Sequence, residues 1–152
     1  MVPDLVAQGS GVVVMISSMS GKSPTPYNAV YTATKHGLNG FTQSLRIELA
    51  GTGVHAGVVC PSFVADAGMW ADTGVKAPFL MREVPLDRVV DGVLKVIRGS
   101  QEVLVTPTPI RPFLALAQIF PSIDARLLQG MGVLKVLRDR AGALAATRSS
   151  GS

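Results

Sequence analysis

Two stretches of the chain, Val12-Val13-Val14-Met15-Ile16 and Val54 to Cys60, are dominated by apolar residues and show no polar alternation. A strand with one wet face would alternate, so both runs predict strands buried on both faces of a parallel sheet. Gly11 leads into the first run and Ser17-Ser18 closes it, while Pro61 ends the second. Between them, Met19 to Pro26 is rich in Ser, Gly and Pro and predicts a loop. Tyr27 to Ala50 then carries the helical stripe Leu38, Phe41, Leu45 and Leu49, stopped by Gly51 and Gly53. Two strands flanking one helix make a βαβ unit, whose crossover is right-handed in nearly all cases.

The flanking segments extend this pattern. Met1 to Gln8 reads as the last turns of a helix, broken at Gly9-Ser10-Gly11. Ser62 to Val84 holds Asp66, Gly68, Asp72, Gly74 and Pro78 with little periodicity, which predicts a long, partly helical excursion of the kind used for lids and binding segments. Leu86, Val89, Val90, Val93, Leu94 and Ile97 follow helical spacing up to Gly99, and Val103 to Val105 predicts a third short strand. Beyond Pro107, Pro109 and Pro112, a tail with helical stretches at Phe113 to Phe120 and Ile123 to Arg140 leads into a small-residue end, Ala141 to Ser152, expected to be disordered.

Composition narrows the function classes. With 152 residues, 47% hydrophobic and 16% charged, the chain fits one domain and is not intrinsically disordered. The single Cys60 allows neither an internal disulfide nor a cysteine metal cluster, and no grouping of His, Cys and carboxylates suggests a metal site. The net charge of +4 lies entirely from Arg111 onward. Basic residues on the wet face of a helix account for it, as does peripheral contact of the tail with an anionic membrane surface. No aromatic interleaving or nucleic-acid motif accompanies the charge, so no nucleic-acid partner is expected. The first Lys or Arg is Lys22 and no apolar run nears the roughly 20 residues that span a bilayer, so the expected location is cytoplasmic.

Candidate chemistry centres on three residues. Tyr31 and Lys35 are four apart on the predicted helix, which puts both on one face. An ammonium beside a phenol stabilises the phenolate and makes the Tyr usable as a general acid or base. Ser18 lies 13 residues before Tyr31, at the carboxyl end of the first strand, where open α/β sheets bind ligands. Its hydroxyl is placed to bond a substrate carbonyl or alcohol.

These residues and their setting resemble the short-chain dehydrogenase/reductases. The matching features are Gly11, the strand Val12 to Ile16, Ser17-Ser18, Gly21, Tyr31-Thr32-Ala33-Thr34-Lys35, the helix Gly37 to Leu49, and the strand Val54 to Cys60 followed by Pro61-Ser62. The resemblance implies a partial Rossmann-type three-layer α/β fold: a short parallel sheet of about three strands, flanking helices and a helical C-terminal tail. It implies hydride transfer between NAD or NADP and a small-molecule carbonyl or alcohol, with Tyr31 as proton donor or acceptor. Lys35 would assist Tyr31 and bind the nicotinamide ribose, Ser18 would orient the substrate oxygen, and Pro61, Ser62, Phe63 and Val64 would contact the nicotinamide. It further implies a homo-oligomer built through the long helix. The apolar tail, with Phe113, Leu114, Leu116, Ile119 and Phe120, agrees with a hydrophobic substrate.

The chain also departs from the pattern. Ser62 stands where Gly is usual and Asp66 where Thr is common, and no glycine-rich phosphate-binding turn lies ahead of Tyr31. The resemblance therefore covers the carboxyl half of the family's domain: residues 1–110 as that half, 111–140 as a helical tail and 141–152 as the disordered end. A second reading is a catalytically inactive truncated fragment, serving as a dimerisation or interaction module or without function.

Overall fold

The two long apolar runs pair side by side. In the computed structural model, β1 (Gly11–Ile16) and β2 (Val54–Pro61) are parallel, with Gly11 opposite Val54 and Ile16 opposite Val59. β3 (Glu102–Val105) adds on the far side of β2, also parallel, with Val58 opposite Glu102. The sheet order is β1-β2-β3. The structure describes residues 1–65, 83–107, 111–120, 134–135, 137–139 and 141–142.

Helices cover both faces. α1 (Val2–Gln8) precedes β1, α2 (Ala29–Glu48) links β1 to β2, α3 (Leu86–Ile97) precedes β3, and α4 (Arg111–Ile119) follows it. Strand alternation sends Val54 and Ala56 to the α2 face, where they pack with Val13, Leu45 and Leu49, and Val59 to the α3 face with Val84, Val96 and Val105. Each of these Val and Leu side chains contributes ~1.5–3 kcal/mol when fully buried. This is the expected α/β class, with its three-stranded parallel sheet.

Several expectations need correction. β1 is not buried on both faces: Val12 and Ile16 are 37% and 45% exposed. β1 is an edge strand, and α3 packs mainly on β2 and β3, so the face of β1 that carries Val12 and Ile16 is only partly covered, while Val13 on the other face packs with Leu45 and Leu49. α2 begins at Ala29 rather than Tyr27, because Tyr27 adopts φ 61°, in the left-handed region, and cannot continue into a helix. Phe41 does not belong to the buried stripe, being 53% exposed. Asn39 and Thr42 lie buried beside Leu45 instead, with the Asn39 amide bonded to Gly21 and the Thr42 hydroxyl donating to the Leu38 carbonyl.

The excursion from Ser62 is seen only at its ends, where Val64 and Val84 form a parallel bridge. Asp66 lies outside the described residues, as does most of Ile123 to Arg140. Ala141 and Gly142, expected to be disordered, are helical.

Candidate active site

The site grows from the carboxyl end of β1. Ser17 still belongs to the sheet, its amide donating to the Val59 carbonyl at 2.8 Å. Ser18 then caps a single 3₁₀ turn, Met19–Gly21, and its hydroxyl accepts from the Ser20 amide at 3.2 Å. Small polar residues suit this position because a hydroxyl satisfies an amide that the short turn leaves over.

Tyr31 sits in the first turn of α2 and Lys35 one turn later on the same face. The Lys35 ammonium lies 5.5 Å from the Tyr31 ring centroid and donates to the Ile16 carbonyl at 2.9 Å. One cation thus joins the phenol-bearing helix to the last residue of β1. The three predicted residues, Ser18, Tyr31 and Lys35, gather at one strand end.

Pro61 to Val64 leave the neighbouring strand beside them. The Ser62 amide donates to the Val105 carbonyl at 2.9 Å and the Phe63 carbonyl accepts from the Val84 amide at 2.7 Å, so the segment is held as a short extension of β2. The Ser62 hydroxyl is buried without a hydrogen-bond partner. A buried polar atom normally has one. The segment that the resemblance assigns to the nicotinamide therefore offers an unsatisfied hydroxyl, and with Tyr31 and Lys35 it fits the nicotinamide-ribose end of a dinucleotide. Among the described residues no group of three or more His, Cys, Asp and Glu is arranged to hold a metal.

Sequence reasoning missed the buried contacts beneath these groups. The Asn39 amide donates to the Gly21 carbonyl at 2.6 Å, and the Ser17 hydroxyl donates to the Lys35 carbonyl at 3.0 Å. Gly21 is required sterically, since a Cβ there would lie 2.6 Å from Asn39 Nδ2 and 2.7 Å from both the Lys35 carbonyl oxygen and Ser17 Oγ. The available signal was the recurrence of polar residues at Tyr31, Lys35 and Asn39, each one helical turn apart. The Cys60 thiol donates to Asn39 Oδ1 at 3.6 Å, and burial pushes its pKa up to about 11 against the lowering effect of the Lys22 ammonium. Lys22 is ion-paired with Glu102 on β3.

The tail reaches the same loop. Arg138 Nε donates to the Tyr27 hydroxyl at 2.9 Å and the guanidinium stacks 5.9 Å from that ring, contacts that raise the Arg138 pKa. Among the described residues, no helix is long and apolar enough to cross a membrane.

Known proteins resemble this chain in sequence and fold. A family profile described as short chain dehydrogenase matches residues 1–77. The ketoacyl reductase HetN of Nostoc sp. is 38% identical over 147 residues, covering 93% of this chain and 51% of its own length. An uncharacterized oxidoreductase of Staphylococcus epidermidis is 36% identical over 110 residues, covering 72% of this chain and 46% of its own. A short chain dehydrogenase from Burkholderia cenocepacia, solved in complex with NADP, superposes with a TM-score of 0.66 at 25% identity over 84% of this chain and 52% of that one. A short-chain dehydrogenase from Sphingobium yanoikuyae in complex with NADPH gives 0.58 at 27% identity, over 85% and 47%. The chain spans about half the length of the curated relatives it matches. Its strand order, the grouping of Ser18, Tyr31 and Lys35, and a profile match extending from the first residue past Pro61 lead to one conclusion: the chain belongs to the short-chain dehydrogenase family.

Proposed function

We propose that this chain carries the proton-handling half of an NAD(P)-dependent oxidoreductase acting on a carbonyl or alcohol. A bound nicotinamide supplies or accepts the hydride. The Tyr31 hydroxyl gives its proton to the carbonyl oxygen in reduction and takes one from the alcohol in oxidation. The Lys35 ammonium steadies the phenolate, and the Ser18 hydroxyl orients the substrate oxygen. Lys35, Tyr31, Ser62 and the backbone of Phe63 and Val64 would hold the nicotinamide ribose and ring.

The observation that carries this reading is the double engagement of Lys35, 5.5 Å from the Tyr31 ring centroid and 2.9 Å from the Ile16 carbonyl. Both solved relatives named above hold a nicotinamide dinucleotide phosphate, which supports a cofactor of that class. The match to a protein named ketoacyl reductase runs over 93% of the chain and supports a ketoacyl compound as substrate. In the native-length protein, Tyr31→Phe should lower kcat at least 1,000-fold, within the ~10²–10⁴ range of a lost general acid. Retention of most of the rate would end the assignment.

A homo-oligomer through α2 belongs to the same proposal. Its outward face exposes Val30 (81%), Phe41 (53%) and Ile47 (74%), and Gly37 and Gly40 between them have open space where a Cβ would stand. A second copy packed there would cover this apolar surface. The same face supports the alternative of an inactive interaction module, which predicts a stable dimer indifferent to Tyr31→Phe.

A further inference from the structure

We propose that Asn39 is a positioning residue, clamping the loop that carries Ser18 onto α2 so that this hydroxyl keeps a fixed place relative to Tyr31 and Lys35. The inference rests on the site proposed above, and its physical part stands without it.

Asn39 lies one helical turn beyond Lys35, on the face that carries Tyr31 and Lys35, and is 5% exposed. Its two polar atoms are both engaged. Nδ2 donates to the Gly21 carbonyl at 2.6 Å, and Oδ1 accepts from the Cys60 thiol on β2 at 3.6 Å. Gly21 in turn donates its amide to the Ser18 carbonyl at 2.9 Å. A single side chain therefore links the helix, the far end of the 3₁₀ turn and the central strand. Ser18 is reached through one further hydrogen bond.

The clamp has a second jaw. Ser17 Oγ donates to the Lys35 carbonyl at 3.0 Å, so the loop is fastened to α2 both before and after Ser18. The absence of a side chain at Gly21 lets the backbones approach closely enough for both bonds, since a Cβ would collide with Asn39 Nδ2, the Lys35 carbonyl and Ser17 Oγ at once. Loops lose order when such contacts are removed, because few apolar contacts remain to restrain them. Misplacing a reacting group by about 1 Å costs on the order of 100-fold in rate. The hydrogen bonds of Asn39 go to Gly21 and Cys60 rather than to Tyr31 or Ser18, so its effect passes through Gly21.

The test uses the native-length protein and Asn39→Leu, which keeps the volume and removes both hydrogen bonds. Amide hydrogen exchange at Gly21, Lys22 and Ser23 should quicken at least tenfold while the amides of β2 and β3 stay as protected as before. Alkylation of Cys60 by N-ethylmaleimide, followed by peptide mass, should quicken in parallel. kcat should fall at least tenfold with KM and cofactor Kd within twofold, a split that a general loss of stability would not produce. Should Asn39→Leu fail to fold, Asn39→Ser, too short to reach Gly21, gives the same comparison. Unchanged exchange at residues 21–23 in a folded variant overturns the proposal, as does a rate loss without loop opening. A wild-type protein whose activity is indifferent to Tyr31→Phe refutes the functional reading alone, and exchange still decides the clamp.

Discussion

The Lys35 ammonium donates to the carbonyl oxygen of Ile16 at 2.9 Å. A helix side chain is thereby pinned to the last residue of β1, and its cation stays near the Tyr31 ring instead of sweeping through solvent. A long, flexible lysine stem otherwise has many rotamers, and this bond selects the one that keeps the ammonium beside the ring.

Lys35→Met keeps the apolar stem and deletes the ammonium. The lost hydrogen bond is solvent-accessible, so stability should fall by only ~1 kcal/mol. kcat/KM should fall by about 100-fold or more, in the range of a general acid–base contribution. Lys35→Arg should not restore it, because a planar fork cannot reproduce a point charge on the same carbonyl. Steady-state kinetics beside thermal unfolding separate the two effects. A Met variant within about threefold of wild type removes Lys35 from the proposed chemistry.

The local signals in the chain were strong where one physical force dominates. β2 is central and flanked on both sides, so its apolar run between Val54 and Cys60 translates directly into a buried strand. α3 spans Leu86 to Ile97, the residues its periodicity marked. The placement of Ser18 at the end of a strand, and of Tyr31 and Lys35 one turn apart on a helix, was legible from their spacing. Asn39 was not legible, since a polar residue on a helix is expected to face water unless its partners are known. Those partners, Gly21 and Cys60, lie 18 and 21 residues away in sequence. The exposure of Val12 and Ile16 was equally hidden, because it depends on which strands α3 covers rather than on β1 itself.

Two neighbouring glycines separate backbone strain from collision. Gly51 and Gly53 adopt φ of 81° and 78°, so alanine is strained at both by ~1–2 kcal/mol. At Gly51 a Cβ would meet nothing within 4 Å, whereas at Gly53 it would lie 2.0 Å from the Gly9 carbonyl oxygen. Gly51→Ala should therefore cost only the conformational penalty. Gly53→Ala should cost at least ~2 kcal/mol more, since the turn must move away from the end of α1. Paired denaturant titrations would show the gap, and equal losses would contradict the close approach of Gly53 to Gly9.

Cys60 gives the structure an alkaline limit. Burial raises its thiol pKa from 9.0 to about 11, so between these values the unfolded chain has released a proton that the folded chain still holds. The unfolded state then binds fewer protons, and stability must fall as pH rises. The stabilisation is fully present below pH 9 and is lost as pH climbs through about 11, which amounts to ~2 kcal/mol by pH 11 at 1.36 kcal/mol per unit. Cys60→Ala should be less stable at neutral pH, having lost the thiol contact with Asn39 Oδ1. It lacks this ionisation, so its disadvantage should shrink between pH 9 and 11. Urea unfolding of both proteins across that window makes the comparison, and parallel curves would mean that Cys60 ionises in the fold as readily as in the open chain.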